Sequence, residues 1–203
     1  KNRSYASMNP VELAAALFGV LYVILAVRSN AWCWIAGIAS AVLYIVFDLQ
    51  LKYFQDAILQ TYYVVAGFYG WYLWTKVSPS TESGEINHLP IVSYSFYKLS
   101  PFLILGVILT PVLGYLFSKL GNAYSYIDAF TAVFSFIATY LTAKKIIENW
   151  IMWIVIDVVL IVQYFLKDAS LYSGLSLFIP VMALYGYYEW TKNISRKDAK
   201  TQS

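Results

Sequence analysis

The sequence predicts an all-α membrane protein: seven transmembrane helices, arranged as two parallel three-helix repeats joined by a linker helix. Three observations carry that expectation. Of 203 residues, 60% are hydrophobic and only 12% charged, with a mean hydropathy of +0.61, where an ordinary soluble domain carries about 25% charged residues. In water such a chain would expose the large apolar patches that soluble proteins avoid. Seven apolar segments approach the ~20 residues needed to cross about 30 Å of hydrocarbon. Two of these segments also end alike, in GWYLWTK at Gly70 to Lys76 and GYYEWTK at Gly186 to Lys192.

The seven spans are expected at Pro10–Val27 (A), Ala31–Phe47 (B), Tyr53–Trp74 (C), Pro101–Phe117 (D), Tyr124–Leu141 (E), Trp150–Phe165 (F) and Leu171–Trp190 (G). Several are short, and flanking Lys and Tyr side chains can snorkel to the interface. Pro10 and Pro101 are placed at helix starts, where the missing N–H costs nothing. Pro111 and Pro180 fall inside D and G and predict kinks. No cleavable signal pattern is expected at the start.

Seven spans put the termini on opposite sides, and the positive-inside rule chooses between them. Lys1, Arg3, Lys52, Lys119 and Lys167 lie on one side. Arg28, Lys76, Lys98, Lys144, Lys145, Lys192, Arg196, Lys197 and Lys200 lie on the other. The N-terminus is therefore expected outside and the C-terminus in the cytoplasm. The longest polar stretch, Val77–Tyr97, joins C to D on the inner side as a solvated loop. It holds the single histidine, His88.

The remaining composition excludes other classes. A net charge of +3 without a basic stripe gives nucleic-acid binding no support. The single cysteine, Cys33, lies in an apolar run and reads as a core residue. One Cys and one His provide no metal-ligand spacing, so neither a metal nor a cofactor is expected. No G-x-x-x-x-G-K-[ST] stretch occurs, which argues against ATP hydrolysis. Asp128 and Asp157 have no nucleophile or metal set beside them, so an enzyme is not expected. A membrane assembly or signalling protein without cargo is the remaining different class.

The similar endings belong to a longer echo. Gln55-Asp56-Ala57 precedes span C, and Lys167-Asp168-Ala169 precedes G. Asn30-Ala31-Trp32-Cys33-Trp34 opens B, and Asn149-Trp150-Ile151-Met152-Trp153 opens F. Residues 10–76 thus resemble 124–192, with 101–117 left as the linker. The spacing is not rigid: Asp56 to Gly70 is 14 residues and Asp168 to Gly186 is 18, a shift of about one helical turn. Parallel repeats are a transporter architecture, with the substrate site near mid-membrane at the repeat interface. The Trp-rich ends also fit an interfacial aromatic belt.

Polar residues recur at helical spacing inside four spans. Span F carries Asn149, Trp153, Asp157 and Tyr164. Span E carries Asp128, Thr131, Ser135, Thr139 and Thr142. Span B carries Gly37, Ser40, Tyr44 and Asp48, and span C carries Gln60, Tyr63, Gly67, Gly70 and Trp74. Such stripes face a bundle interior or a cavity, although Ser and Thr also serve as helix–helix glue. Asp157 is the sharpest feature, because it lies mid-span with no Lys or Arg at its depth. It is either bonded to Ser or Tyr on a neighbouring helix, or it faces water, a proton or a cationic ligand. Trp153 shares its face, and an aromatic ring beside a carboxylate suits a flat cation.

The seven spans, the Gly-aromatic-Tyr-x-Trp-Thr-Lys endings and the Asn-Trp-x-x-Trp opening of F together resemble the PnuC-type bacterial vitamin transporters, best known for nicotinamide riboside. The resemblance covers nearly the whole chain. It implies a 3+1+3 fold similar to the SWEET sugar transporters, in the bacterial cytoplasmic membrane. It also implies facilitated diffusion, with phosphorylation by a cytoplasmic kinase trapping the vitamin, and a homo-oligomeric, trimeric assembly. Its mid-membrane site carries over to Asn149, Trp150 and Trp153, and further to Gln60, Tyr63 and Tyr188. Nicotinamide riboside offers a cationic ring for Trp and Tyr faces, and a carboxamide and hydroxyls for Asn and Gln. Thiamine, also a flat cation, is carried by related transporters and stays open as a cargo, as does proton coupling through Asp157.

Overall fold

The computed structural model describes residues 9–51, 53–76, 78–79, 86–87, 89–119, 124–166 and 173–201. Seven helices follow one another: α1 (Pro10–Val27), α2 (Trp32–Gln50), α3 (Phe54–Thr75), α4 (Phe96–Lys119), α5 (Ser125–Ala143), α6 (Asn149–Leu166) and α7 (Ser173–Thr201). Among the described residues, α1, α2, α4 and α5 are long and apolar enough to cross a membrane, and α6 supplies a shorter apolar stretch. Large apolar side chains such as Leu17, Ile58, Phe68, Val107 and Val155 point outward. Helices with satisfied backbones and apolar exteriors are what hydrocarbon permits. The chain divides into two compact units, Lys1–Tyr72 and Leu73–Ser203.

Two boundaries differ most from the sequence expectation. Helix α4 begins at Phe96, so Pro101 sits inside it rather than at its start. Pro101 has no N–H to offer the Tyr97 carbonyl, and the Ser100 hydroxyl donates to that carbonyl instead, at 3.0 Å. Helix α7 continues well past Trp190, because the polar residues after it remain helix-compatible once outside the apolar run. Both α4 and α7 run through Pro111 and Pro180.

The α3–α4 connection is more ordered than a solvated loop. Its β1 (Ser78–Pro79) and β2 (Ile86–Asn87) pair antiparallel. Beyond them, the Val92 N–H donates to the Lys145 carbonyl at 3.0 Å, and the Ile147 N–H donates to the Val92 carbonyl at 2.9 Å. The Glu148 carboxylate then accepts the Ser93 hydroxyl at 2.6 Å and the Tyr94 N–H at 3.0 Å. The α5–α6 turn thus satisfies backbone groups that water would otherwise serve. His88 and the Lys167-Asp168-Ala169 echo lie outside the described residues.

In the first unit, small residues let the helices approach closely. The Ser40 hydroxyl of α2 donates to the Ala15 carbonyl of α1 at 2.8 Å. Trp34 of α2 lies flat beneath Gly70 of α3, where an added Cβ would stand 2.2 Å from the indole. Buried Cys33 is a core residue, as expected.

The second unit is built around α5, its most buried helix. Val133, Ile137, Ala138 and Leu141 of α5 pack with Ile146, Met152 and Ile156. Gly106 and Gly114 of α4 accommodate the rings of Phe134 and Tyr126 from α5. Trp150 of α6 lies beneath Gly186 of α7, where an added Cβ would stand 2.6 Å from the indole.

The two units repeat each other's local geometry at a fixed spacing of 116 residues. Ser29 and Lys145 both hold positive φ, 53° and 52°. Each closes the preceding helix with the paired hydrogen bonds of a Schellman motif: Ser29 N–H to Ala26 and Asn30 N–H to Leu25 in one, Lys145 N–H to Thr142 and Ile146 N–H to Leu141 in the other. The Trp34–Gly70 and Trp150–Gly186 slots keep the same spacing. Asn30 and Asn149 do not, so the expected pairing of those two residues is three positions out of register.

The slots give a direct test. Gly70→Ala and Gly186→Ala each force a methyl into an indole and should lower stability by about 1–3 kcal/mol. Gly19→Ala, whose Cβ would meet only Ser40 Oγ at 3.4 Å, should be neutral or stabilising. Thermal unfolding in detergent measures all three, and equal midpoints would contradict the slot assignment.

Candidate functional site on the seam between α5 and α6

Two hydrogen-bonded ends fix how α5 and α6 face each other. At one end, Thr142 Oγ1 lies 3.1 Å from Asn149 Oδ1. At the other, Gln163 Nε2 donates to the Asp128 carboxylate. Both helices advance 14 residues between these contacts, or about 21 Å of antiparallel axis. The polar stripe of α5 therefore lines a seam against α6. Thr131, Ser135, Thr139 and Thr142 are buried there, and Asp128 is half-buried. Thr131, Thr139 and Thr142 donate to carbonyls of their own helix, at 3.0, 2.8 and 2.9 Å. Short hydroxyl side chains can do this in hydrocarbon without breaking the helix.

Thr142 is the junction of the closed end. Its single proton has two acceptors in reach, the Ala138 carbonyl and Asn149 Oδ1. Its oxygen also accepts the Trp153 indole N–H at 3.3 Å. Asn149, with no exposed surface, donates to the Ile146 carbonyl at 2.6 Å. Asn149 thus locks the α5–α6 turn, and Thr142 orients the half-buried Trp153 ring.

Asp157 lies one turn beyond Trp153. It is 8% exposed, and its Oδ2 is buried without a hydrogen-bond partner among the described residues. Neither α5 nor α6 contains a Lys or Arg. A carboxylate in such surroundings is costly unless a proton, water or cation meets it. Among the described residues, no group of three His, Cys, Asp or Glu could hold a metal.

The other expected site residues are dispersed. Trp150 is buried in a cluster with α7: its ring meets Trp190 edge-on at 5.4 Å, and Trp190 lies 6.1 Å from Trp74. Trp74 donates its N–H to the Ala143 carbonyl at 3.0 Å and carries the Lys145 ammonium 4.5 Å above its ring. Trp34, Trp74, Trp150 and Trp190 of the expected belt are therefore core, while Trp32 is 62% exposed with Trp71 edge-on beside it. Tyr188 is exposed, with the Lys192 ammonium 5.8 Å from its ring. Tyr44, Gln60 and Tyr63 are half-buried in the first unit, where Tyr62 tilts against Tyr63 at 5.8 Å. The Tyr164 side chain lies outside the described residues.

Sequence reasoning missed Gln163, although its position 14 residues after Asn149 puts it on the same helix face. It also missed buried Lys145 and the Glu148 clamp. Nothing in the local sequence signals a lysine at positive φ.

A polar stripe between two apolar helices, and a buried carboxylate on one of them, are marks of a solute pathway through a membrane protein. The match to known proteins makes this specific. The chain belongs to the nicotinamide mononucleotide transporter family, whose model matches residues 9–192. It is 22% identical to the nicotinamide riboside transporter PnuC of Escherichia coli (strain K12), over 95% of this chain and 90% of that one. Identity to the Neisseria mucosa nicotinamide riboside transporter PnuC is 25%, over 90% and 72% of the two chains. The riboflavin/roseoflavin transporter RibM of Streptomyces davaonensis is 21% identical over 93% and 87%. The fold is that of the crystal structure of the vitamin B3 transporter PnuC, with a TM-score of 0.74, 23% identity and coverage of 92% and 82%.

The Thr142 junction is testable without a ligand. Thr142→Val keeps the shape but leaves Asn149 and the Trp153 indole short of a partner, at a cost of about 1–3 kcal/mol. Thr139→Val removes a hydroxyl whose one described bond is to its own helix, and should cost far less. Thermal midpoints of the two variants separate these outcomes, and equal losses would deny Thr142 its junction role.

Proposed function

We propose that this protein imports nicotinamide riboside across the bacterial cytoplasmic membrane by facilitated diffusion, with a cytoplasmic kinase trapping the vitamin by phosphorylation. The observation that carries the reading is Asp157, a buried carboxylate with an unpartnered oxygen beside the half-buried Trp153, on helices without a cation. A flat pyridinium supplies the missing positive charge and stacks on the indole. Relatives named for nicotinamide riboside support the same cargo. The riboflavin relative handles a flat but uncharged ring, and the carboxylate favours the cation over it. Thiamine, a flat cation, is the second reading that Asp157 equally allows. The chain is oriented with its N-terminus outside, by its distribution of Lys and Arg, and assembles as a homotrimer.

We further read α1–α3 and α5–α7 as two copies of one three-helix element, on the strength of the Schellman turns and Trp–Gly slots that recur 116 residues apart. At that spacing Thr142, Asn149, Trp153, Asp157 and Gln163 correspond to Ala26, Cys33, Gly37, Ala41 and Phe47. The polar seam therefore belongs to the second copy alone, which supports recognition there.

Uptake of labelled nicotinamide riboside into sealed proteoliposomes, without ATP or an ion gradient, tests the transport mode. Entry down the concentration gradient is expected, unaltered by an imposed pH gradient. No entry by folded protein would refute passive transport, and acceleration by the gradient would favour proton coupling through Asp157. In the same preparations Trp153→Ala should weaken binding by roughly tenfold or more. Trp190→Ala, a fully buried packing residue, should lower thermal stability and leave the affinity of the folded protein near wild type. Equal affinities in the two variants would refute ring stacking on Trp153.

A further inference from the structure

We infer that the groove between α4 and α5 binds one anionic phospholipid, with an acyl chain lying in the groove and the phosphate held by Lys98 and Lys144. The site lies within the second unit and is independent of the cargo reading above.

The groove has a volume of about 250 Å³ and is walled by Phe102, Leu105 and Leu109 of α4 and by Val133, Ile137 and Tyr140 of α5. The Tyr140 hydroxyl is the only polar side-chain group along it. Leu105 and Leu109 are exposed, so the groove opens on the surface of the unit. A polar solute would find almost no hydrogen bonds there, whereas a methylene chain needs none.

Two lysines close the same end of the groove. On α4, Lys98, Phe102, Leu105 and Leu109 are spaced by four, three and four residues, which keeps them on one helix face. On α5, Val133, Ile137, Tyr140 and Lys144 have the same spacing, with Lys144 capping the helix. The two helices run antiparallel, because Phe102 meets Tyr140 while Gly106 and Gly114 meet Phe134 and Tyr126. The Phe102 and Tyr140 rings lie 5.7 Å apart and set the level at which the two faces pair. Lys98 comes four residues before Phe102 and Lys144 four after Tyr140. Each therefore stands about 6 Å beyond the ring pair, on the same side of it. The Lys98 ammonium lies 5.7 Å from the Tyr94 ring and the Lys144 ammonium 5.9 Å from the Tyr140 ring, which restrains both side chains at that level.

Charge selects the occupant. Helix α4 contains no Asp or Glu, and the one acid of α5, Asp128, lies at its opposite end. The Glu148 carboxylate is engaged by Ser93 and Tyr94. Two ammonium groups at the end of an apolar groove call for an anion joined to a hydrocarbon chain, and basic sites between helices on the cytoplasmic side take such headgroups. A second copy of this chain fits less well. Helix contacts in hydrocarbon favour small residues, and Gly106 and Gly114 of α4 are already used against α5. Only the assignment to the inner leaflet rests on the orientation proposed above, and the test below does not use it.

Native mass spectrometry of the full-length protein in detergent, titrated with phosphatidylglycerol or with phosphatidylcholine, measures both affinities and the mass of the assembly. The wild type should bind phosphatidylglycerol roughly tenfold or more tightly than phosphatidylcholine. Lys98→Gln and Lys144→Gln should each weaken phosphatidylglycerol about fivefold, the loss expected for one lysine at an anionic surface, and leave phosphatidylcholine unchanged. Lys119→Gln removes a lysine held over Tyr115 at the other end of α4 and should change neither. Leu105→Trp fills the groove and should weaken both lipids. Equal losses at Lys98, Lys144 and Lys119 would reduce the effect to general surface charge and overturn the site. Glycerol phosphate that displaces the lipid at equal concentration would overturn it too, since the acyl chain would then contribute nothing. So would a Leu105→Trp variant that binds both lipids as the wild type does. A changed assembly mass with unchanged lipid affinity would make the face a contact between copies and overturn it as well. If Lys144→Gln does not fold, Lys98→Gln decides alone.

Discussion

The hydroxyl of Thr142 is the group on which the second unit's interior depends. Hydrocarbon offers no hydrogen bonds, so every polar atom placed between helices must find its partner in the protein. Thr142 lies within reach of its own helix, of Asn149 and of the Trp153 indole through one oxygen. Asn149 in turn holds the carbonyl of Ile146, and so fixes the turn between α5 and α6. The direction of the Trp153 ring follows from this chain of contacts. A single methyl-sized hydroxyl thus sets both the interhelical register and the direction of the Trp153 ring.

That register is reinforced from the side of the connecting segments. The Lys145 backbone takes a left-handed conformation that costs a non-glycine residue about 1–3 kcal/mol. The same residue places its ammonium over Trp74 and offers its carbonyl to Val92. Glu148, three residues on, clamps Ser93 and Tyr94. The strap before α4, the last turn of α3 and the start of α6 converge on one corner next to Asn149. The ammonium–indole contact, which only a side chain can make, offsets part of the strain at Lys145 and explains a lysine where glycine would be easier. Ser29, at the equivalent position of the first unit, has the same backbone and no such side-chain contacts among those described.

Much of this was legible in the sequence, and the reasons differ by level. The helices were visible because spans in hydrocarbon need long apolar runs, and α1 falls on the expected residues. The α4 start was not, because a hydroxyl beside Pro101 lets the helix pass a residue that usually begins one. The stripe on α5 was visible from its three- and four-residue spacing, and its burial follows from it. Gln163 sat on the same face as Asn149 but was overlooked without a partner to point to it. Trp150 and Trp190 read as belt residues because composition cannot reveal the glycine slot that buries an indole. Glu148 carries no local signal at all, since its role is defined by a strap more than fifty residues earlier in the chain.

Recognition by α6 and its neighbour α5 in the second unit is open to a direct test. The most direct measurement is an experimental structure of the full-length protein with nicotinamide riboside bound. The account predicts the pyridinium stacked on Trp153, with the Asp157 carboxylate within about 6 Å of the ring. A ligand seated in the protein without touching α5 or α6 would contradict it.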